Sequence, residues 1–145
     1  MRLARIASLA AATALGGCTY GAPPAVTGTQ AGGVMVVDVN LTIHPDGYSP
    51  DVLDVPIGTR IQFTNSDSFA HTATAIAGTT FPSASPLDVS AETPTQGALS
   101  TRTWGSGVLQ AGGSSPVFVA DQAGTYLYGC FFHYGHPMQG EIVVH

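Results

Sequence analysis

Just before its last apolar segment the chain reads Tyr128-Gly129-Cys130-Phe131-Phe132-His133-Tyr134-Gly135-His136-Pro137-Met138. It places a thiol, two imidazoles and a thioether in one short run. A soft thiolate and a thioether suit Cu(I), and imidazole suits both oxidation states of copper. If a strand ends at Cys130, a tight turn returns His133 and then Met138 to the same end of the sheet. The spacing therefore predicts a copper site on a loop between two strands.

A second imidazole for this site is available upstream, at His71 in the segment Asn65-Ser66-Asp67-Ser68-Phe69-Ala70-His71. A trigonal site of one Cys and two His, with a long axial Met, is the geometry of blue-copper electron-transfer centres. We therefore predict one copper ion bound by His71, Cys130, His133 and Met138.

The loop offers a competing imidazole at His136. This residue is only two positions before Met138 and directly precedes Pro137, whose fixed φ restricts how the chain can fold back. His133 stands farther from the axial thioether, so each ligand can reach the metal from its own side of the loop. We therefore favour His133 as the ligand and expect His136 to lie beside the exposed edge of the site.

Composition and hydrophobic pattern indicate one compact all-β domain. Apolar residues make up 44% of the 145 residues and charged residues only 9%, which is unlike a disordered chain. Short runs with period-two alternation, and no convincing 3.6-residue repeat, predict an antiparallel sandwich or barrel with Greek-key connections. The expected strands cover residues 37–43, 52–55, 60–64, 71–76, the surroundings of Trp104, 117–120, 125–128 and 142–144. Residues 77–100 are predicted to be a surface insertion with a short helix.

The surface charge limits the classes of partner. The formal net charge is −5 and the sequence contains four Lys and Arg together, all of them Arg. Such a surface repels nucleic acid and anionic lipid headgroups, so we expect no nucleic-acid partner. Redox protein partners should be basic or should dock through an uncharged patch, and we expect a monomer.

The N-terminus is predicted to be a processing signal. Arg2 and Arg5 precede an apolar stretch over residues 6–15, which is too short to span a bilayer because about 20 residues are needed. The following Leu15-Gly16-Gly17-Cys18 resembles a bacterial lipobox, which implies cleavage before Cys18 and lipid attachment to its thiol. An ordinary secretory leader or an uncleaved one is the alternative.

This resemblance divides the chain into a signal at 1–17, a lipidated Cys with a flexible tether at 18–33, and a copper domain at 34–145. The domain would be held at the cell envelope, in the periplasm, and would touch the membrane only through its anchor. Thr19 occupies the position where an Asp is associated with retention at the inner membrane, so an outer-membrane location is favoured.

If Cys18 carries the lipid, Cys130 has no partner for a disulfide. An unpaired thiol in an oxidising compartment is prone to oxidation unless it is buried or bound to a metal. This favours a metal at Cys130. A disulfide between the two cysteines and an inert buried thiol are the alternatives.

From residue 34 onward the sequence resembles a small cupredoxin of the plastocyanin type. The similarity lies in residues 57–65 (IGTRIQFTN), in residues 106–110 (SGVLQ) with 124–126 (GTY), and in the spacing Cys130-x2-His133-x4-Met138-x-Gly140. It implies a cupredoxin sandwich and the same four copper ligands. Thr72 follows the first ligand where plastocyanin has Asn, and its hydroxyl could still tie the two ligand segments together.

The resemblance implies a mononuclear type 1 copper protein that cycles between Cu(II) and Cu(I) and is not an enzyme. A binuclear copper centre would need a second Cys in the loop, and an iron-sulfur cluster would need about four thiolates. Zinc fits less well because Met is a poor zinc ligand. The main alternative is a periplasmic lipoprotein that carries or buffers copper with the same ligands.

Overall fold

The computed structural model describes residues 29–31 and 33–145, and within them all regular structure is β-strand or 3₁₀ turn. No helix in these residues is long and apolar enough to cross a membrane. The strands are β1 (Thr29–Ala31), β2 (Val34–Val39), β3 (Tyr48–Ser49), β4 (Val52–Val55), β5 (Arg60–Asn65), β6 (Thr74–Ile76), β7 (Gly97–Ala98), β8 (Phe118–Val119), β9 (Gly124–Gly129) and β10 (Gln139–Val144). Two 3₁₀ turns cover Val89–Glu92 and Leu99–Thr101.

The strands form two sheets. One has the order β1-β2-β5-β8-β7 with β3 also paired to β2, and the other has the order β4-β10-β9-β6. The predicted all-β sandwich is confirmed. The sheets are mixed rather than antiparallel, because β2 pairs with β5 and β4 with β10 in parallel. Between β2 and β5 the chain crosses to the other sheet through β4, so it returns in its original direction.

Alternating side chains build the core between the sheets. In β5, Ile61, Phe63 and Asn65 are buried while the residues between them are partly exposed, as the period of two requires. Phe63 stacks on Trp104 with ring centroids 6.0 Å apart and meets Tyr128 edge-on at 5.1 Å. This aromatic packing joins β5 to β9, the strand that leads to the predicted copper loop.

Two predicted strands are shorter than expected. The strand over 37–43 ends at Val39, because the Asn40 side chain accepts hydrogen bonds from the N–H groups of Thr42 and Ile43 and starts a turn. The strand over 71–76 begins only at Thr74.

The strand predicted around Trp104 is absent. Gly105 makes only isolated bridges, to Thr74 and Thr95. Trp104 is buried in the core, which explains the apolar signal that suggested a strand.

Residues 77–100 do not hold an α-helix. The turn at Val89–Glu92 is 3₁₀, and the Asp88 side chain caps it by accepting a hydrogen bond from the N–H of Ser90 at 2.8 Å. The end of the segment is not a surface insertion, since β7 pairs in parallel with β8 at the edge of the first sheet.

The first sheet also begins earlier than predicted. Strand β1 lies within the proposed tether at 18–33 and pairs antiparallel with β2. Gly33 adopts a φ of 77°, a left-handed conformation that favours glycine, and allows the tight return between these strands. The signal at 1–17, Cys18 and the tether up to residue 28 lie outside the described residues.

Candidate metal centre

His71 lies in the connection between β5 and β6, where the chain passes from one sheet to the other. Its N–H donates to the carbonyl of Leu109 at 3.1 Å, and the N–H of Leu109 donates back to the carbonyl of His71 at 2.8 Å. The Asn65 side chain donates to the carbonyls of Phe69 and Leu109, at 2.7 and 2.8 Å. These bonds fix the backbone that presents the His71 ring, which is fully buried.

Thr72 joins the His71 segment to the Cys130 loop. Its backbone N–H donates to Cys130 Sγ at 3.4 Å, and its hydroxyl oxygen accepts from the N–H of Phe131 at 2.9 Å. Both Thr72 and Cys130 are fully buried. The expectation that this hydroxyl ties the two ligand segments together is therefore confirmed.

The loop closes between β9 and β10. Gly129 is the register partner of Gln139, and the N–H of Cys130 donates to the carbonyl of Met138 at 3.1 Å. Met138 is fully buried, and its side chain lies against Gly47. Gly47 has a φ of 70°, and a Cβ there would come within 2.5 Å of Met138 Cγ, so the close approach requires glycine.

Three of the four predicted ligands offer donor atoms to a common point. Cys130 Sγ is 3.5 Å from His133 Nδ1 and 3.9 Å from His71 Nδ1, and the two ring nitrogens are 3.2 Å apart. His133 is partly exposed at the edge of a pocket of about 230 Å³. His71 and Asp67 line the same pocket from inside.

His136 lies elsewhere on the loop. It is exposed, its N–H donates to the carbonyl of His133 at 2.9 Å, and its side chain does not join the three donors. This placement agrees with the choice of His133 from spacing, while ligation itself stays a prediction.

Burial favours the uncharged forms of two donor groups, Cys130 and His133. It raises the pKa of the Cys130 thiol, although hydrogen bonds from Thr72 and neighbouring N–H groups act in the opposite direction. Burial also lowers the pKa of His133, and the nearby His71 ring adds to this effect. A neutral imidazole has a free lone pair, whereas the thiol must lose its proton to become a metal ligand.

The donor set fits copper. It combines one sulfur and two imidazole nitrogens in a largely buried setting, with a thioether on the same loop. Sulfur donors suit Cu(I), and imidazole suits both oxidation states. In the described residues Cys130 is a free, buried thiol.

The sequence did not predict one buried side chain that contacts a ligand residue. Asp67 is buried, and its Oδ2 lies 3.1 Å from His71 Nε2. Histidines that bind metals commonly donate their other N–H to a carboxylate. An acidic residue four positions before a predicted ligand could therefore have indicated this contact.

Residues 37–145 match the family described as copper binding proteins, plastocyanin/azurin family. The chain belongs to this family. Copper is the metal of this cupredoxin, and His71, Cys130 and His133 are arranged as a candidate site for it. Cupredoxins are typically electron-transfer proteins.

Two solved structures with TM-scores above 0.5 agree with the assignment of the fold. A Cu(I) form of a methionine-to-glutamine mutant of amicyanin is 20% identical, with a TM-score of 0.53, over 79% of this chain and 85% of that chain. An oxidised methionine-to-lysine mutant of amicyanin is also 20% identical, with a TM-score of 0.51, over 80% and 86%. A purple cupredoxin from Nitrosopumilus maritimus is 24% identical, with a TM-score of 0.49, over 76% and 98%. No curated protein sequence matches this chain.

Proposed function

We propose that this cupredoxin is a mononuclear type 1 copper electron-transfer protein that cycles one ion between Cu(II) and Cu(I) and is not an enzyme. The observation that carries the proposal is the convergence of His71 Nδ1, Cys130 Sγ and His133 Nδ1, which all lie within 4.8 Å of one another. Met138 is the expected axial ligand, because it is buried and closes the same loop.

The bound copper supplies one-electron chemistry, and the chain supplies a rigid frame for it. Paired backbone bonds with Leu109 hold His71, while strand β9 and Thr72 hold Cys130. Ligands held in this way move little when the charge of the ion changes. Low reorganisation favours fast electron transfer.

We propose that redox partner proteins dock around the partly exposed edge of His133. Two exposed aromatic side chains lie near this edge. Phe69 is 64% exposed and lines the same pocket as His133, and Phe132, the residue before His133, is 43% exposed. Exposed apolar groups of this kind suit a weak, transient contact. A net charge of −5 supports docking through such an uncharged patch or with a basic partner.

We also propose that the protein is a monomer anchored at the cell envelope through a lipid on Cys18, with the outer membrane favoured. The support is the sequence Leu15-Gly16-Gly17-Cys18 after a short apolar stretch. Cys18→Ala should release the protein from membranes without changing its copper spectrum, since the anchor lies outside the copper domain. If Cys18→Ala stayed on membranes in salt strong enough to screen surface charge, the anchor would be refuted.

Visible absorption of the Cu(II) protein tests the copper site most directly. A strong thiolate-to-copper band is expected in the wild-type protein and should be lost in Cys130→Ser, because serine retains the size but cannot supply the thiolate. The circular dichroism of the variant should still report the β-fold. An intense band that survives the substitution would refute the assignment.

The competing function is copper carriage or buffering, which would use the same ligands. Electron transfer predicts that copper stays bound while it is reduced and reoxidised through repeated cycles. Rapid transfer of the ion to a chelating acceptor in either oxidation state would favour the carrier instead.

A further inference from the structure

Asp67 is a buried acidic side chain that is not one of the proposed copper ligands. Asp67 is 4% exposed, and its carboxylate faces the ring of the fully buried His71. Oδ2 of Asp67 lies 3.1 Å from Nε2 of His71. A buried carboxylate is costly unless hydrogen bonds satisfy it, so its placement against a ligand calls for an explanation.

We propose that Asp67 is a positioning residue that acts through His71 to favour Cu(II) over Cu(I), an inference that rests on the copper site proposed above.

The first step of the argument is the tautomer of His71. A carboxylate only accepts hydrogen bonds, so the ring must carry its proton on Nε2 to donate to Asp67. The other ring nitrogen, Nδ1, then has its lone pair free. This is the atom that points toward Cys130 Sγ and His133 Nδ1. Asp67 therefore selects the tautomer that can bind copper.

The second step is the orientation of the carboxylate. Oδ2 accepts the N–H groups of Leu41 and Thr42 at 3.0 and 3.3 Å, and Oδ1 accepts the Thr42 hydroxyl at 2.9 Å. Ser68 N–H also donates to Oδ1, at 2.7 Å. The turn after β2 thus clamps the carboxylate and leaves it little freedom to swing away from His71.

The third step is charge. The carboxylate oxygens are faced by donors: the N–H groups of Leu41, Thr42 and Ser68, the Thr42 hydroxyl and Nε2 of His71. This geometry suits an ionised carboxylate that only accepts, because a protonated acid would need an acceptor for its own proton. A fixed negative charge next to the ring makes the imidazole a stronger donor. The doubly charged Cu(II) gains more from this donor and from the negative charge than Cu(I) does, because the attraction scales with ionic charge.

The test compares Asp67→Asn with the wild type. The amide is similar in size and removes the charge, so Cu(II) affinity should fall by about 10- to 100-fold, the usual effect of removing a partner of a ligand. Cu(I) affinity should change less, and the reduction potential should rise. Each tenfold selective loss of Cu(II) affinity corresponds to about 59 mV for a one-electron couple.

Asp54→Asn is the matched control. Asp54 Oδ1 lies 2.8 Å from His145 Nδ1, so it forms the same kind of pair. These side chains are 65% and 68% exposed and stand at the end of β4 and β10 that is remote from the copper loop. The control should leave the potential and both copper affinities unchanged.

A measurement on the wild-type chain keeps the proposal testable if Asp67→Asn does not fold. Nitrogen-15 NMR of the metal-free protein should show His71 protonated at Nε2, with a proton that exchanges slowly with water. Protonation at Nδ1, or a rapidly exchanging Nε2 proton, would overturn the proposal.

The possible failures can be told apart. If the wild type binds no copper, the proposed function is wrong. If the wild type binds copper and Asp67→Asn keeps the same ratio of Cu(II) to Cu(I) affinity, only the role of Asp67 is refuted.

Discussion

The copper site and the segment 77–100 are held in place by different kinds of contact. At the site the linking groups are buried and join distant parts of the chain, as when Thr72 contacts Cys130 across 58 positions. In the segment, the hydrogen bonds of Asp88 with Ser90 and of Ser100 with Asp121 are exposed to solvent.

The two regions differ in whether water can replace a hydrogen-bond partner that a substitution removes. In the exposed segment, water can take the place of a missing side-chain partner, so most substitutions there should cost little. At the buried site, removing one partner leaves the other unsatisfied and costs about 1–3 kcal/mol. The same substitution chemistry should therefore have larger effects near copper than in residues 77–100.

The largest effect is expected for His133→Ala, which removes a ligand atom. Removing a group that only contacts a ligand typically lowers metal affinity by roughly 10- to 100-fold. Removing the ligand itself should lower copper affinity by more than this, and the visible band should disappear. His136→Ala is the matched control, because it removes the exposed imidazole of the same loop and should preserve the band. If the two variants behaved in the opposite way, His136 would be the ligand. Copper titration followed by absorption measures both.

An intermediate effect is expected for Thr72→Val, which keeps the shape but leaves the N–H of Phe131 without its acceptor. The free energy of unfolding of the metal-free protein should fall by about 1–3 kcal/mol in denaturant titration. Thr72→Ser retains the hydroxyl and should lose less. A loss confined to Thr72→Ser, with Thr72→Val as stable as the wild type, would mean that the methyl group, and not the hydrogen bond, joins the ligand segments.

The smallest effect is expected for Tyr134→Phe, at the contact between the two regions. The Tyr134 hydroxyl donates to the carbonyl of Pro82 at 2.9 Å, and the ring packs with Ile76 and Leu127. Losing this partly buried bond should lower the free energy of unfolding by about 0.5–1.5 kcal/mol and leave the visible band unchanged.

Tyr126→Phe provides a comparison for Tyr134→Phe, since Tyr126 donates to the carbonyl of Gln122 at 2.8 Å outside the segment. Only Tyr134→Phe should increase protease cleavage within residues 77–100. A shifted visible band in Tyr134→Phe would show that the segment also supports the copper loop.

Much of the site was predictable because its donors follow one another in sequence. The spacing of Cys130, His133 and Met138 depends on a single loop, and strand alternation predicts which elements carry that loop. His71 was predicted as the second imidazole from the upstream sequence, and the resemblance implied the same ligand. The structure adds the separations of the three donor atoms and the closure of the loop at Met138.

The parts that were missed depend on contacts between separate elements. Trp104 is an aromatic residue of the kind that is common in strands, but here it packs into the core from an irregular segment. Strand β1 forms through backbone pairing with β2, which leaves no hydrophobic pattern to read. Asp67 meets His71 only because the loop between them folds back, and its bonds to Thr42 require the turn after β2.

The long sequence separation of two ligands has a consequence for the unfolded chain. His71 and Cys130 stand 59 positions apart, whereas Cys130 and His133 are three apart. Closing a flexible loop of the longer length costs about 3.6 kcal/mol in chain entropy, beyond a constant term. Copper offered before folding should therefore be held by donors of the loop from Cys130 to Met138, and it gains His71 only when the sandwich has formed.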